Sequence, residues 1–378
     1  MAGRTNLVAY LVYSVVVTGF IYPVIVHWTW SPDYVDVTGS ITSSAWLYGM
    51  GYVDFAGSGI VHVTGGIAAL VGAYMVGPRG TPPPRGGQPL SVAQIHRIVA
   101  TNHSMPLVAL GTIILIFGFF GFNGGSVLAM DSAADGKKMG VAVISTVMAA
   151  SGGSIAASGC NYFMNRRWSL IQACNGAIAG MVAICASADR VDTGVAWVIG
   201  IGGGLSFRLW SFLVKKAGID DAVDAAAVHA GAGIWGVIAA PIFDNQVGIF
   251  YYEIQYAQDS GGAGQPRVKD TTGRDVAWNA FGWHVFGIVI IVAWTAIMSG
   301  IMFGILSACD KLRVPDESLK EGLDKHEHGE WAYGYDNREI IGGYDGSKEV
   351  GDRNVFKEDG AQNASKETVL QVVTTQAV

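Results

Sequence analysis

Charge is what this chain has least of. Lys, Arg, Asp and Glu make up 14% of its 378 residues, against roughly 25% in an ordinary soluble domain. The shortage is local: residues 311–378 hold 23 charged side chains, 14 acidic and 9 basic, which leaves 31 for the first 310 residues. A soluble body of that size could not cover its surface with so few charges, so the solvent around it should be lipid. The net charge of −6, concentrated in the tail, argues against a nucleic-acid partner. Cysteine is scarce too. The four (Cys160, Cys174, Cys185 and Cys309) sit in or at the ends of apolar runs without CxxC spacing, which reads as packing. There is no HExxH, and no third Cys, His or acid stands at ligand spacing, so neither metal nor cofactor is expected. No nucleophile–base pair occurs at membrane depth, which makes an intramembrane hydrolase the weakest reading, and an enzyme is not expected. A cleavable signal is also missing: the first apolar run is too long and lacks a small-residue cleavage site.

What is present is apolar length. Eight segments can span about 30 Å of hydrocarbon, which takes about 20 helical residues. They run approximately over 7–28, 55–77, 105–130, 139–162, 170–188, 195–214, 225–243 and 276–309. The fold class is therefore all-α and polytopic. Glycine, 52 residues scattered through these runs, lets helix backbones approach closely in lipid. Arg208, near one end of the sixth segment, can snorkel to the interface. With the N-terminus inside, Arg4, Arg79, Arg166, Arg167, Lys215 and Lys216 fall on the cytoplasmic side, and positive charge modestly favours both termini there. This organisation predicts a transmembrane domain over 1–310, a structured cytoplasmic segment over 311–335 and a disordered acidic tail over 336–378.

Ionisable residues inside a membrane are expensive and point to function. Two have matching surroundings. The second span opens Asp54-Phe-Ala-Gly-Ser-Gly-Ile-Val-His62-Val-Thr-Gly-Gly66, and the seventh opens Asp221-Ala-Val-Asp-Ala-Ala-Ala-Val-His229-Ala-Gly-Ala-Gly233. Both read Asp, six residues, Val-His, three residues, Gly. Five spans separate the two starts, so the helices enter from opposite faces, the signature of an inverted repeat with a site near the midplane. Each histidine lies roughly 12 Å inside its aspartate, so both should arrive near the centre. Asp54 and Asp221 should cap the helix N-termini.

The stretch from Asp54 through Arg79 resembles the signature of the ammonium transporter family, within the ammonium transporter/Rhesus superfamily. Gly121-Phe-Asn-Gly-Gly-Ser126, the Asp221–His229 segment, Leu312-Arg-Val-Pro315 and Glu321-Gly-Leu-Asp324 resemble it as well, in that order. Gly3-Arg-Thr-Asn-Leu-Val-Ala-Tyr10 is similar to the plant and algal type. The resemblance implies an eleven-helix fold with inverted repeats, of which the eight spans here match the last eight, the first three being absent. It implies roles as well. His62 and His229 match the twin pore histidines, and Trp30, with Ser126 as its hydroxyl partner, matches the outer ammonium-binding aromatic. Phe122 matches a gating phenylalanine. Tyr22 and Phe119 match other pore-lining aromatics, and Asp54 matches a structural acid of the outer vestibule. Without the resemblance, Trp30 reads as an interfacial belt residue and the phenylalanines as packing.

The resemblance implies transport of ammonium or ammonia, with the cation deprotonated before ammonia crosses. It also implies a homotrimer in the plasma membrane, with a possible cytoplasmic regulatory protein at the tail. The competing expectations are an ammonium sensor signalling through the tail, and a non-conducting fragment.

Overall fold

The computed structural model describes residues 1, 3–31, 34–35, 41–42, 45–79, 104–245, 248–251 and 271–315, with isolated positions at 318, 319, 323, 326 and 329. The chain divides into two compact units, Met1–Leu323 and Asp324–Val378. The helices named below, among the described residues, belong to the first. The expected tail over 336–378 and the segment from Asp316 to Asp324 lie wholly or mostly outside the described residues.

Eight long helices carry the eight apolar segments. They are α1 (Leu7–Trp30), α3 (Ser58–Val76), α4 (Met105–Gly125), α5 (Ala133–Asn165), α6 (Leu170–Ile184), α7 (Thr193–Lys216), α8 (Ala227–Phe243) and α9 (Thr271–Ala308). A one-turn helix α2 (Trp46–Gly49) and a two-residue strand pair, Tyr34–Val35 against Ile41–Thr42, lie between α1 and α3. Six of the helices are long and apolar enough to cross a bilayer, whereas α6 and α8 are shorter. The two short helices are buried among the others, α6 along Ala179–Ile184 and α8 along most of its length. A helix surrounded by protein need not match the hydrocarbon thickness. By contrast, α1 and α4 turn Leu11, Val15, Ile113, Ile114 and Phe117 outward, each at least 62% exposed, as a lipid-facing surface requires.

Local chemistry sets the ends of these helices. Ser132 caps α5 by accepting from the Asp135 amide at 3.2 Å and donating to its carboxylate, so α5 begins six residues before its apolar run does. In α1, Pro23 has no N–H to offer the Gly19 carbonyl, and the helix widens into a π turn over Val17–Ile21 just before it. The indole of Trp294 in α9 donates to the Ile21 carbonyl there, at 3.1 Å.

Helices α5, α6 and α7 form the most closely packed trio, and α8 lies against α3, α6, α7 and α9. The decisive crossing is between α3 and α8. A methyl group on Gly66 would meet Ala230 Cβ at 2.7 Å and also its backbone nitrogen, while one on Gly233 would meet Val63 Cγ2 at 3.0 Å and the Ser58 carbonyl. The two backbones therefore touch, and side chains of any size are excluded at both points. The start of α3 meets the later part of α8, where Gly59 faces Val237. The far end of α3 meets the start of α8, where Arg79 bonds Asp220. The two helices run in opposite directions.

That last contact belongs to a buried ionic knot. Arg79 grips Asp220 through its backbone N–H at 2.8 Å and its guanidinium at 3.0 Å to each oxygen. Arg4, with its side chain fully buried, donates to the Asp220 carbonyl at 2.6 Å and to the Gly77 carbonyl at 2.6 Å. The chain after α9 closes over the knot: Asn6 N–H bonds Leu312 O, Val314 N–H bonds Arg4 O, and Arg313 donates to the Val76 and Pro78 carbonyls. Burial opposes ionisation of Asp220, but its bonds to Arg79 and the nearby charge of Arg4 outweigh it and hold the carboxyl below its ordinary range.

Two stability predictions follow from these contacts. Gly66→Ala should cost about 1–3 kcal/mol by overpacking. Gly65→Ala, where nothing lies within 4 Å of the added carbon, should cost nothing, and denaturation of both in detergent checks the contrast. Asp220→Asn removes the carboxylate that Arg79 grips and Arg4 faces, and should cost about 3–5 kcal/mol at neutral pH. Because the folded carboxyl titrates low, its contribution is complete above about pH 4 and drains away as pH falls from there through the folded value. Melting curves of wild type and variant should therefore converge on acidification, and a constant gap would contradict the assignment.

Candidate functional site

Both aspartates of the repeat cap, but unequally. Asp54 Oδ1 accepts from the N–H groups of Gly57 at 3.0 Å and Ser58 at 2.8 Å, and Oδ2 from Gly59 at 2.8 Å and Ile60 at 2.9 Å. One carboxylate thus satisfies the four free amides at the start of α3, which a helix end held inside protein cannot leave bare. Gly57 makes the turn possible with φ of 97°. Asp221 accepts from Ala226 N–H at 2.7 Å, and Asp224 instead bonds Ser211 at 2.9 Å and Lys215 at 3.0 Å.

Each cap leads into a π turn that contains its histidine, Ser58–Val63 around His62 and Ala227–Gly231 around His229. The His62 amide accordingly bonds the Gly57 carbonyl, five residues back. In α8, Ser206 of α7 donates to the Gly231 carbonyl at 2.7 Å. Such turns recur at functional sites because they break the regular ladder and re-aim a side chain.

The histidines lie one turn before the glycines of the crossing, and they meet. His62 Nδ1 and His229 Nδ1 are 3.2 Å apart, with the rings nearly parallel at 8° and their centroids 5.3 Å apart. A hydrogen bond between two Nδ1 atoms needs one to donate and the other to accept, so the neutral pair holds opposite tautomers. The outer Nε2 atoms then differ, one an N–H and the other a lone pair. The geometry also bars double protonation, which would set two N–H groups against each other. His62 Nε2 is buried and has no hydrogen-bond partner among the described residues.

Phe119 of α4 stacks on His62 at 5.6 Å and 15°, and Phe122 tilts against the same ring at 5.6 Å and 51°. Four of the sequence-predicted residues thus form one cluster of rings. The others lie apart from it. Trp30 donates from its indole to the Asp54 carbonyl at 2.8 Å, fixing it to the start of α3, and its face is partly exposed. Ser126 donates to the Phe122 carbonyl in its own helix at 2.8 Å, and no hydrogen bond joins it to Trp30 among the described residues. Tyr22 packs in a neighbouring apolar cluster with Ile25, Ile60 and Val63.

Two buried polar groups close to this site were not singled out from the sequence. His284 of α9 sits between Ala280 O at 2.7 Å from Nδ1 and the Val53 amide nitrogen at 3.2 Å from Nε2, with Tyr52 alongside. It fastens the chain before Asp54 to α9. As a histidine in a long apolar run it carried the intramembrane signal, but it has no counterpart in the repeat. Asn123, between the two phenylalanines and Ser126 in sequence, donates to Thr146 at 2.8 Å and faces Cys185 Sγ at 3.2 Å.

This arrangement has relatives. Residues 1–333 match the Ammonium Transporter Family. The chain belongs to that family. Ammonium transporter 1 member 1 of Solanum lycopersicum is 33% identical over 350 residues, covering 90% of this chain and 68% of the relative. Ammonium transporter 1 member 2 of Oryza sativa subsp. japonica is 32% identical over 351 residues, covering 90% and 67%. A solved structure described as a sensor Amt protein superposes with a TM-score of 0.67 at 30% identity, covering 86% of this chain and 71% of that one. Saccharomyces cerevisiae Mep2 gives 0.62 at 26% identity, covering 83% and 63%. Among the curated ammonium transporters it matches, the chain spans 59% of the length of one from Caenorhabditis elegans and 72% of one from Solanum lycopersicum. As a member of the Ammonium Transporter Family it is an integral membrane protein rather than an enzyme.

Within that family fold the Asp54 cap is testable by itself. Asp54→Asn keeps the shape but replaces one acceptor oxygen with a donor, which orphans two of the four amides. The loss should be about 1–3 kcal/mol for each orphaned group, read as an earlier denaturation midpoint in detergent. Asparagine tolerated without loss would mean that the amides have other acceptors.

Proposed function

We propose that this chain serves the transmembrane movement of ammonium and ammonia, with the paired imidazoles of His62 and His229 lining the passage. The observation that carries the reading is the 3.2 Å contact between their Nδ1 atoms, with His62 Nε2 buried and without a partner among the described residues.

Ammonium has no apolar part, so a site that strips its water must offer a π face and hydrogen-bond acceptors. Trp30 and Ser126 supply that pair of groups on the Asp54 side of the ring cluster. Phe122 and Phe119 separate this outer site from the histidines, and the cation hands one proton to water on the outer side, so that ammonia is the species that passes them. Ammonia, neutral and able both to donate and to accept, then exchanges bonds with the two unlike outer edges of the imidazole pair. Two carboxylates in the same place would hold a cation and stop it. The proton follows by a separate route, so the process can move net charge. Tyr22 lines the way, and Asp54 and Asp221 hold the two opposed helices at the depth that brings the rings together.

The working assembly is a homotrimer in the plasma membrane with the C-terminal segment in the cytoplasm, where a regulatory protein can reach it. The positive charges of Arg166, Arg167, Lys215 and Lys216 support that orientation. A second reading, an ammonium sensor signalling through its tail, is favoured by the likeness to the solved sensor Amt protein.

Methylammonium uptake in cells lacking their own transporters separates the readings. The chain should raise uptake above background, and the His62→Ala, His229→Ala double variant should return it to background while still reaching the membrane. Uptake unchanged in the double variant would sink the imidazole pathway. Ammonium-dependent signalling without flux would favour the sensor.

A further inference from the structure

A primary ammonium is already bound on the face where α3 begins. Lys138, in the second turn of α5, places its Nζ 5.3 Å from the centre of the Phe55 ring and 3.1 Å from Asp189 Oδ2. These are the two contacts by which a small organic cation is recognised, a π face and a carboxylate. The carboxylate is enclosed, with its side chain 1% exposed, whereas 43% of the Lys138 side chain is open to solvent.

Ring and carboxylate are held to each other independently of the lysine. Phe55 N–H bonds Ala186 O at 3.0 Å, Ala56 N–H bonds Cys185 O at 2.8 Å, and Ala186 N–H donates to Ser58 Oγ at 2.8 Å. The chain that brings Asp189 past the end of α6 is therefore fastened to the turn that carries Phe55. Arg190 Nε lies 3.5 Å from the same Asp189 Oδ2, and its Nη1 lies 3.8 Å from Asp244. Withdrawal of Lys138 thus leaves Asp189 a counter-charge and strands no buried carboxylate. Asp189 Oδ1 is buried with no hydrogen-bond partner among the described residues, so the carboxylate keeps an acceptor beyond these bonds. The lysine also regains rotamers on release.

We propose that Phe55 and Asp189 form a second small-cation site, which Lys138 fills as a tethered ligand and vacates when a free primary ammonium takes its place. The exchange breaks the bond from Lys138 to Asp189 and makes an equivalent one to the incoming cation, so the charge at the carboxylate is unchanged. The ligand class is a cation the size of one lysine head, ammonium or methylammonium. A quaternary ammonium has no N–H to give the carboxylate. The tethered competitor acts at an effective concentration on the order of millimolar, so the site answers only to abundant cation. It is assembled without Trp30 or Ser126 and does not depend on the transport reading.

The test is denaturation of the full chain in detergent, with methylammonium or tetramethylammonium chloride added at equal ionic strength. Methylammonium should raise the midpoint of Lys138→Ala further than that of the unaltered chain, and tetramethylammonium should raise neither. Any binding at Trp30 is common to both chains and cancels in their difference. Adding Phe55→Leu to Lys138→Ala should shift half-saturation about threefold upward, the loss of one partly exposed cation–π contact. Adding Asp189→Asn should abolish the response. If that variant does not fold, Phe55→Leu decides. Equal responses to the two cations would overturn the proposal, as would equal responses of Lys138→Ala and the unaltered chain. A response that persists in Asp189→Asn would do so too. The midpoint is read without flux, so a failure here is distinct from a loss of methylammonium uptake.

Discussion

Where α3 and α8 cross, two backbones touch at Gly66 and again at Gly233, and much of the central architecture answers to that contact. Close approach of antiparallel helices brings the residues four positions earlier, His62 and His229, face to face in the opening turns of α3 and α8. It also commits the start of each helix to the protein interior, where its free amides need acceptors. Asp54 meets that need with four bonds, and Asp221 does so more sparingly. A bulkier residue at either glycine would push the helices apart by the width of a side chain. The imidazoles would then lose the hydrogen bond that polarises them.

A lipid-solvated body cannot leave polar groups to water, so the way each one is satisfied is informative. Asp220 is surrounded by Arg79 and Arg4, Asn123 is bonded to Thr146, and His284 is held by backbone at both nitrogens. These groups are fixed. His62 Nε2 is buried with no hydrogen-bond partner among the described residues, and so are the hydroxyls of Thr64, Ser145 and Thr295.

Family membership and local geometry bear on different matters. Matches over 90% of the chain establish the kinship and the membrane setting. What the site can do rests on the tautomers forced by an Nδ1–Nδ1 contact and on the ring column of Phe119, His62 and His229. The reach of Trp30 is defined by its bond to the Asp54 carbonyl, which ties the outer aromatic to the same helix start that positions His62.

Much of this was legible in the amino-acid order alone. Apolar length located the six described helices long enough to span, because the hydrocarbon thickness acts on each of them separately, and it marked α6 and α8 as helices although both are shorter. The spacing of eight residues from Asp54 to His62 and from Asp221 to His229 located both caps and both rings, because helix rise is fixed and the repeat exposes its own inversion. Tertiary structure alone decided that the histidines meet through Nδ1, that Phe119 stacks where Trp30 and Ser126 do not join, that Asp220 rather than Asp221 carries the ionic knot, and that His284 anchors the loop before α3. Those outcomes depend on distances between residues far apart in the chain. Such distances are set by how closely two backbones can approach, and no local period or composition encodes them.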